Sequence, residues 1–140
     1  MIRKRPLPVD VEQRIATLGA ALAGCPAVVF AYLFGGAAEG RLTPLSDVDV
    51  AVFLDERCDA VESRLEVIRL VTEHLRTDEV DVVLLNTAPT ALLGRILLQR
   101  RVLCDREPFK RQRFESQALR QFFDFRIFER RLLERRAARG

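Results

Sequence analysis

Cysteine is scarce and scattered in this sequence. The three present, Cys25, Cys58 and Cys104, are odd in number and far apart. That argues against a disulfide framework and, with no metal-ligand spacing among them, against a zinc site. They read as reduced structural thiols. No apolar run approaches the roughly 20 residues needed to span a bilayer. The opening MIRKRPLPVD follows its basic residues with Pro and Asp, where a signal peptide needs an apolar stretch. A cytoplasmic protein with no membrane partner is expected. Repeats, low-complexity tracts and Gly/Ser/Pro-rich linkers are also missing. The 140 residues are therefore expected to form a single domain, 1–140, long enough to bury about two-thirds of the surface its unfolded chain exposes.

Hydrophobic residues make up 49% and charged residues 31% of the chain, a balance that excludes disordered and membrane classes. The net charge of +3 conceals an asymmetry. From Arg106 onward, eleven Lys or Arg stand against five Asp or Glu, so the C-terminal segment is the basic part.

Periodicity divides the chain into alternating elements. Asp10 suits a helix N-cap, and Val11, Ile15, Leu18 and Leu22 follow on one helical stripe until Gly24-Cys25-Pro26 stops it. Residues 27–34, dense in Val, Phe and Tyr, end at a glycine pair as a buried strand would. Residues 47–54 alternate, with Val48, Val50, Val52 and Leu54 on one face and Asp47, Asp49, Ala51 and Phe53 on the other. Residues 59–76 return to helical spacing through Val61, Leu65, Ile68 and Leu75. Residues 80–85 form a further strand, 90–99 a helix after Pro89, and 101–104 a brief edge strand. From Pro108, the residues Phe114, Ala118, Phe122, Phe125 and Leu132 predict a long basic amphipathic helix over 108–138. The fold class is α+β (α/β): a short mixed β-sheet backed by helices.

The stretch LFGGAAEGRLTPLSDVDVAVFL, residues 33–54, carries the chemistry. On a strand, Asp47 and Asp49 point to the same face about 6.5 to 7 Å apart. Two carboxylates so placed either raise one pKa or recruit a cation, and hard cations such as Mg²⁺ take oxygen ligands together with substrate phosphates. The second alternative also accounts for Gly35-Gly36, where backbone N–H groups approach a phosphate with no Cβ in the way. Asp81 lies in VDVVLL on the face opposite Val80, Val82 and Leu84. If that strand pairs beside 47–54, three carboxylates and a nucleoside triphosphate could hold two Mg²⁺ ions, one at the attacking hydroxyl and one at the leaving pyrophosphate.

A glycine pair after an apolar strand, ten intervening residues, Asp47-Val48-Asp49 and a later strand with Asp81 resemble the signature of the DNA polymerase β-like nucleotidyltransferase superfamily. The Ser46-Asp47 start of the second strand, the short chain and the tail RFESQALRQFFDFRIFERRLL are most similar to the minimal nucleotidyltransferases, the antitoxin partners of HEPN toxins. The resemblance covers nearly the whole chain. It implies a nucleotidyltransferase fold and a protein adenylyltransferase that moves AMP from ATP to a tyrosine of a HEPN ribonuclease. Asp47, Asp49 and Asp81 would be the metal ligands, with Asp81 also helping to activate the acceptor hydroxyl. Gly35, Gly36, Arg41 and Ser46 would contact the nucleotide. Gly36 stands where the family usually has Ser, and Glu39 where an Arg is frequent, which weakens triphosphate binding; Arg41, two residues on, is the available replacement. The alternative is an antitoxin that neutralises its HEPN partner by binding alone. Antibiotic nucleotidyltransferases share the signature but need a second domain for which the chain has no room.

Several features have plainer readings. Ser46 reads as a turn residue beside Asp47, and Tyr32 as core. Arg69 and His74 match the Arg-X4–6-His spacing of HEPN ribonucleases, but strands around Asp47 and Asp81 contradict that all-helical fold. The apolar residues of the tail, Phe109 to Leu133, outnumber those one packed face needs. They suggest docking to a partner or a second copy, ahead of direct RNA binding.

Overall fold

The computed structural model describes residues 5–139. The elements run α1 (Val11–Ala23), β1 (Val28–Phe34), α2 (Gly35–Ala38), β2 (Val48–Leu54), α3 (Ala60–Leu75), β3 (Val80–Leu84), α4 (Thr90–Leu98), β4 (Arg101–Asp105) and α5 (Pro108–Arg139). The four strands form one mixed sheet in the order β3-β2-β1-β4. β1 lies antiparallel to both β2 and β4, whereas β2 and β3 are parallel. That parallel pair needs a crossover, and α3 supplies it.

Both faces of the sheet are covered, so the central strands β1 and β2 are almost wholly buried, while the edge strands β3 and β4 are partly exposed. Val28, Ala31, Leu33, Val48, Val50, Val52, Leu54 and Val82 share one cluster with Ile15, Leu18 and Leu22 of α1 and Val67, Val71 and Leu75 of α3. Phe30, Tyr32, Ala51, Phe53 and Leu85 share the other with Leu93, Ile96 and Leu97 of α4 and Ala118 of α5. The alternation along β2 is thus real: odd-numbered residues face α4 and α5. Asp49 and Asp81 belong by register to that second face, beyond the end of its apolar filling.

Local details explain where helices start and stop. Asp59 caps α3 by accepting a hydrogen bond from the Glu62 N–H at 2.9 Å, and the helix ends at Arg76 in the left-handed region. Asp10 occupies the N-cap position of α1 without a side-chain cap; its carboxylate instead accepts from Arg14 Nε at 2.8 Å. At the other end of α1, the Arg106 guanidinium donates to the Ala23, Cys25 and Pro26 carbonyls at 2.6, 3.0 and 3.0 Å. The Ala23 carbonyl is one of the orphan acceptors at the C-terminus of α1, and the other two belong to the turn that follows it. His74 ties α3 to α1, its Nε2 lying 2.8 Å from Thr17 Oγ1 and 3.0 Å from the Arg14 carbonyl oxygen. Its place near Arg69 is therefore a matter of helix packing.

The buried stripe of α3 differs from the predicted one. Ser63, Val67, Val71 and Leu75 face inward, while Val61 and Leu65 are 73% and 60% exposed. Two stripes overlap in this helix. The one with apolar residues repeating every four positions to its C-terminus meets α1 and the sheet.

Gly19 sets how closely α1 lies on β4. A Cβ there would stand 2.0 Å from the Leu103 carbonyl oxygen, a backbone atom that no rotamer change can remove. Gly19→Ala is expected to destabilise the fold by at least about 1 to 3 kcal/mol through overpacking. A fall in the urea midpoint at unchanged slope is the measurement.

The long helix α5 has two regimes. Phe114, Glu115, Ala118 and Phe122 pack on α4 and the sheet, and the Phe114 ring meets Phe30 and Phe53 at centroid distances of 5.6 and 5.3 Å. After Phe122 no described residue is buried. The remaining stretch, 123–139, corresponds to ~25 Å of helix at 1.5 Å per residue. It exposes Phe123, Phe125, Ile127, Phe128, Leu132 and Leu133. Among the described residues, no helix is long and apolar enough to cross a membrane.

A small, partly buried charge network fastens the packed half of α5. Arg100 and Arg111 both pair with Glu115, and Arg111 Nε also donates to Asp105 Oδ2 at 2.6 Å. The Arg100 guanidinium lies 5.3 Å from the ring centroid of fully buried Tyr32. Burial, with the Glu115 carboxylate nearby, pushes the Tyr32 hydroxyl above its ordinary range, so this phenol stays neutral.

Candidate active site

The site begins where β1 stops. Gly35 follows Phe34 with φ +68°, a left-handed conformation that disfavours any side chain. There is a second reason for glycine: a Cβ at this position would lie 2.3 Å from Asp49 Oδ2. The elbow and the carboxylate therefore occupy adjoining space, and the second exists in its place only because the first has no side chain. Antiparallel pairing of Phe34 with Asp49 fixes that contact.

Parallel pairing of β2 with β3 sets Asp49 directly beside Asp81, with Cα atoms about 4.8 Å apart as neighbouring strands require. The condition for bringing these two acids together, that 80–85 lie next to 47–54, is met. Arg64 of α3 donates to the Val82 carbonyl at 3.1 Å and so pins the edge strand next to Asp81. Asp47 precedes β2 by one residue, and its successor is anchored by a Val48 N–H to Glu79 carbonyl bond of 3.0 Å. Asp49 is half-buried, whereas Asp47 and Asp81 are exposed. As the side chains stand, no three His, Cys, Asp or Glu residues among those described gather closely enough to hold a metal. What the backbone provides is a shared edge: two acids in register and a third two residues upstream.

The loop between β1 and β2 contains the other sequence-singled residues. Gly36, the second residue of α2, has no positive φ, and a Cβ there would find only the Arg41 carbonyl group, its oxygen at an ordinary 3.6 Å. The Arg41 N–H donates to the Gly36 carbonyl at 2.8 Å, folding the loop back so that Arg41 starts beside the glycine elbow. Its guanidinium pairs with Glu39. The Ser46 hydroxyl accepts from the Thr43 N–H at 2.9 Å and hydrogen-bonds Thr43 Oγ1 at the same distance, which closes the turn ahead of Asp47.

Arg101 was not signalled by any local pattern. Pairing of β4 with β1 sets it opposite Leu33, from where its guanidinium donates to the Ala37 carbonyl at 3.3 Å and tethers α2. Only the strand order, which spacing does not disclose, puts it there.

These residues suit a hard divalent cation and a phosphate chain. The donors are carboxylate oxygens, as Mg²⁺ prefers, and the adjoining elbow offers backbone N–H groups where a side chain would block approach. A mixed sheet whose first two strands meet at such an elbow, with acids on the second and third, defines the nucleotidyltransferase fold.

The family model described as polymerase beta, nucleotidyltransferase matches residues 17–109, well over half of the chain. The protein belongs to that nucleotidyltransferase family. Solved structures agree on the fold. A chain of a toxin–antitoxin complex with AMP-PNP is similar with a TM-score of 0.67 at 24% identity, over 88% of this chain and 95% of that one. A chain of a toxin–antitoxin MntA–HpeT mutant gives 0.68 at 22% identity, over 88% and 95%. A chain from the re-refined complex of tri-AMPylated Shewanella oneidensis HEPN toxin with MNT antitoxin gives 0.65 at 20% identity, over 89% and 96%. No curated protein matches the sequence.

Proposed function

We propose that this protein is a Mg²⁺-dependent protein adenylyltransferase, an antitoxin that transfers AMP from ATP to a tyrosine of a HEPN ribonuclease toxin. The observation that carries the reading is the register of Asp49 with Asp81 against the Gly35 elbow. The family match supports nucleotidyl transfer in general. The AMP-PNP complex and the AMPylated HEPN toxin among similar structures favour an adenine nucleotide as donor and a HEPN toxin as acceptor.

In this reading Asp47, Asp49 and Asp81 would hold two Mg²⁺ ions, which when bound neutralise the triphosphate and polarise the reacting oxygens. Gly35 and Gly36 orient the phosphates through their N–H groups, with Arg41 at hand and Ser46 holding the turn that presents Asp47. Asp81, exposed on the edge strand, accepts the proton of the incoming tyrosine hydroxyl. The tyrosine oxygen bonds to the α-phosphorus as the bond to the bridging oxygen breaks, and pyrophosphate leaves. The exposed apolar and basic length of α5, 123–139, is the natural docking surface for the helical partner.

Incubating the chain with ATP, Mg²⁺ and the HEPN partner, then weighing the partner by mass spectrometry, tests the proposal. Added AMP that disappears in Asp47→Ala supports it. Tight binding and full neutralisation with no added mass would leave the contact inhibitor, a reading favoured by the exposed helix and by Glu39 beside Arg41.

Gly36→Ser provides a gain-of-function check. The Cβ position is open, so the hydroxyl can be added without moving the backbone. A hydrogen bond to a charged phosphate oxygen contributes about 1.5 to 3 kcal/mol, so transfer at low ATP should rise by about tenfold or more.

A further inference from the structure

The Glu39–Arg41 pair lies in the loop that leads from the glycine elbow to β2, and its two sides are unequally exposed. The Arg41 backbone is anchored, its N–H bonded to the Gly36 carbonyl at 2.8 Å, so the side chain starts next to the elbow. Its guanidinium side is 70% exposed, while the Glu39 side chain is 25% exposed. The carboxylate lies against the protein and the cation rests outward on it. Between them Gly40 holds φ +69° with nothing near its Cβ position, which gives the short loop room to change shape.

From this we infer that Glu39 acts as an internal stand-in for phosphate: its carboxylate occupies Arg41 until a nucleotide's phosphate chain displaces it, and the exchange sets nucleotide affinity. The inference rests on the nucleotide reading above and adds a regulator to that site. The chemistry is a swap of like for like. A guanidinium offers a planar fork of donors that fits a carboxylate or a phosphate oxygen pair equally well. An exposed ion pair is weak enough to open under competition, and the incoming phosphate carries more charge than the carboxylate it replaces. With the pair closed, Arg41 contributes no net attraction. Once it opens, the same side chain reaches the phosphates from the Gly36 side. The device also discriminates: ligands with few charges, such as AMP, displace Glu39 less readily than a triphosphate.

The test is a double-mutant cycle on the full chain, read as Mg²⁺·AMP-PNP affinity by equilibrium titration. Glu39→Gln, Arg41→Gln and the double variant are all exposed-loop changes, with thermal melting as the folding control. Glu39→Gln should tighten binding roughly fivefold, in keeping with removal of one weak competing charge. Arg41→Gln alone should weaken binding by roughly twofold to fivefold, because the phosphates lose the cation that Glu39 would release to them. In the double variant most of the fivefold gain should vanish, since Glu39 acts through Arg41. Raising salt should weaken binding more steeply in Glu39→Gln than in the parent chain, where screening also loosens the competing pair. The inference is overturned if Glu39→Gln changes nothing, or if its gain persists in the Arg41→Gln background, which would make Glu39 a mere repelling charge. If the parent chain binds AMP-PNP in an Asp49-dependent way without these effects, the stand-in role alone is lost. If none of the four chains binds the nucleotide, the nucleotide reading is lost and this one with it.

Discussion

Asp49→Ala should lower AMP transfer by roughly a thousandfold or more, a loss of about 4 kcal/mol of transition-state stabilisation. The chain should still fold and still bind the HEPN toxin proposed as its partner. The size of the effect follows from position. Asp49 is the one acid at the junction of all three site components: it pairs with Phe34 at the end of β1, lies in register with Asp81, and abuts Gly35. Asp49→Asn, which keeps the shape and removes the charge, should lose nearly as much, so the deficit is electrostatic and not a packing fault. Gly35→Ala provides an independent route to the same outcome. Its methyl group would need the space of Asp49 Oδ2, and the left-handed φ resists it as well. Transfer should fall with all three carboxylates still present. Single-turnover AMP incorporation, with partner pull-down as the binding control, measures each. Near-normal transfer by Asp49→Ala would end the enzymatic reading.

Glu115→Ala should strongly destabilise the fold, costing about 3 to 5 kcal/mol. Glu115 is buried and takes both Arg100 and Arg111. Its removal leaves the Arg100 guanidinium without a carboxylate in a region where Arg100 Nε, Asp105 Oδ1 and the Tyr32 hydroxyl already have no protein partner. Arg111 retains Asp105, whereas Arg100 keeps only the Leu97 carbonyl at 3.3 Å and the Tyr32 ring. At about 3 °C per kcal/mol for a chain of this size, the melting temperature should drop by roughly 10 °C. Glu115→Gln, which still accepts one hydrogen bond, should fall about half as far. A shift under about 2 °C for the alanine variant would mean that water already satisfies these groups.

Much of the fold was legible because each element announces itself locally. The alternation of 47–54, the helical spacing from residue 59 and the glycine pair after an apolar run each depend on nearby residues alone, and every element except α2, for which no span was predicted, lies within a residue or two of its predicted span. The misreadings have a common cause. Asp10 looked like a cap, but Arg14 one turn later competes for its carboxylate. The stripe through Val61 and Leu65 was as apolar as the true one, and only the neighbouring α1 and sheet select between them. The site shows the same division. Gly35, Asp47, Asp49 and Asp81 were visible as residue types in a pattern, yet the register that sets Asp49 beside Asp81 belongs to strand pairing across more than thirty residues. The Glu39–Arg41 pair and the Arg101 tether likewise arise from how the chain folds back, which no spacing rule encodes.

The unburied C-terminal half of α5 also bears on the lifetime of the chain in a cell. A helical stretch with no neighbour to brace it opens readily, and opened backbone is what proteases cut. Residues 123–139, rich in arginine and phenylalanine, are then the first place a degrading enzyme would grip an orphaned copy, and a bound companion would deny that grip. Abundance of the protein would follow that of whatever shields this tail.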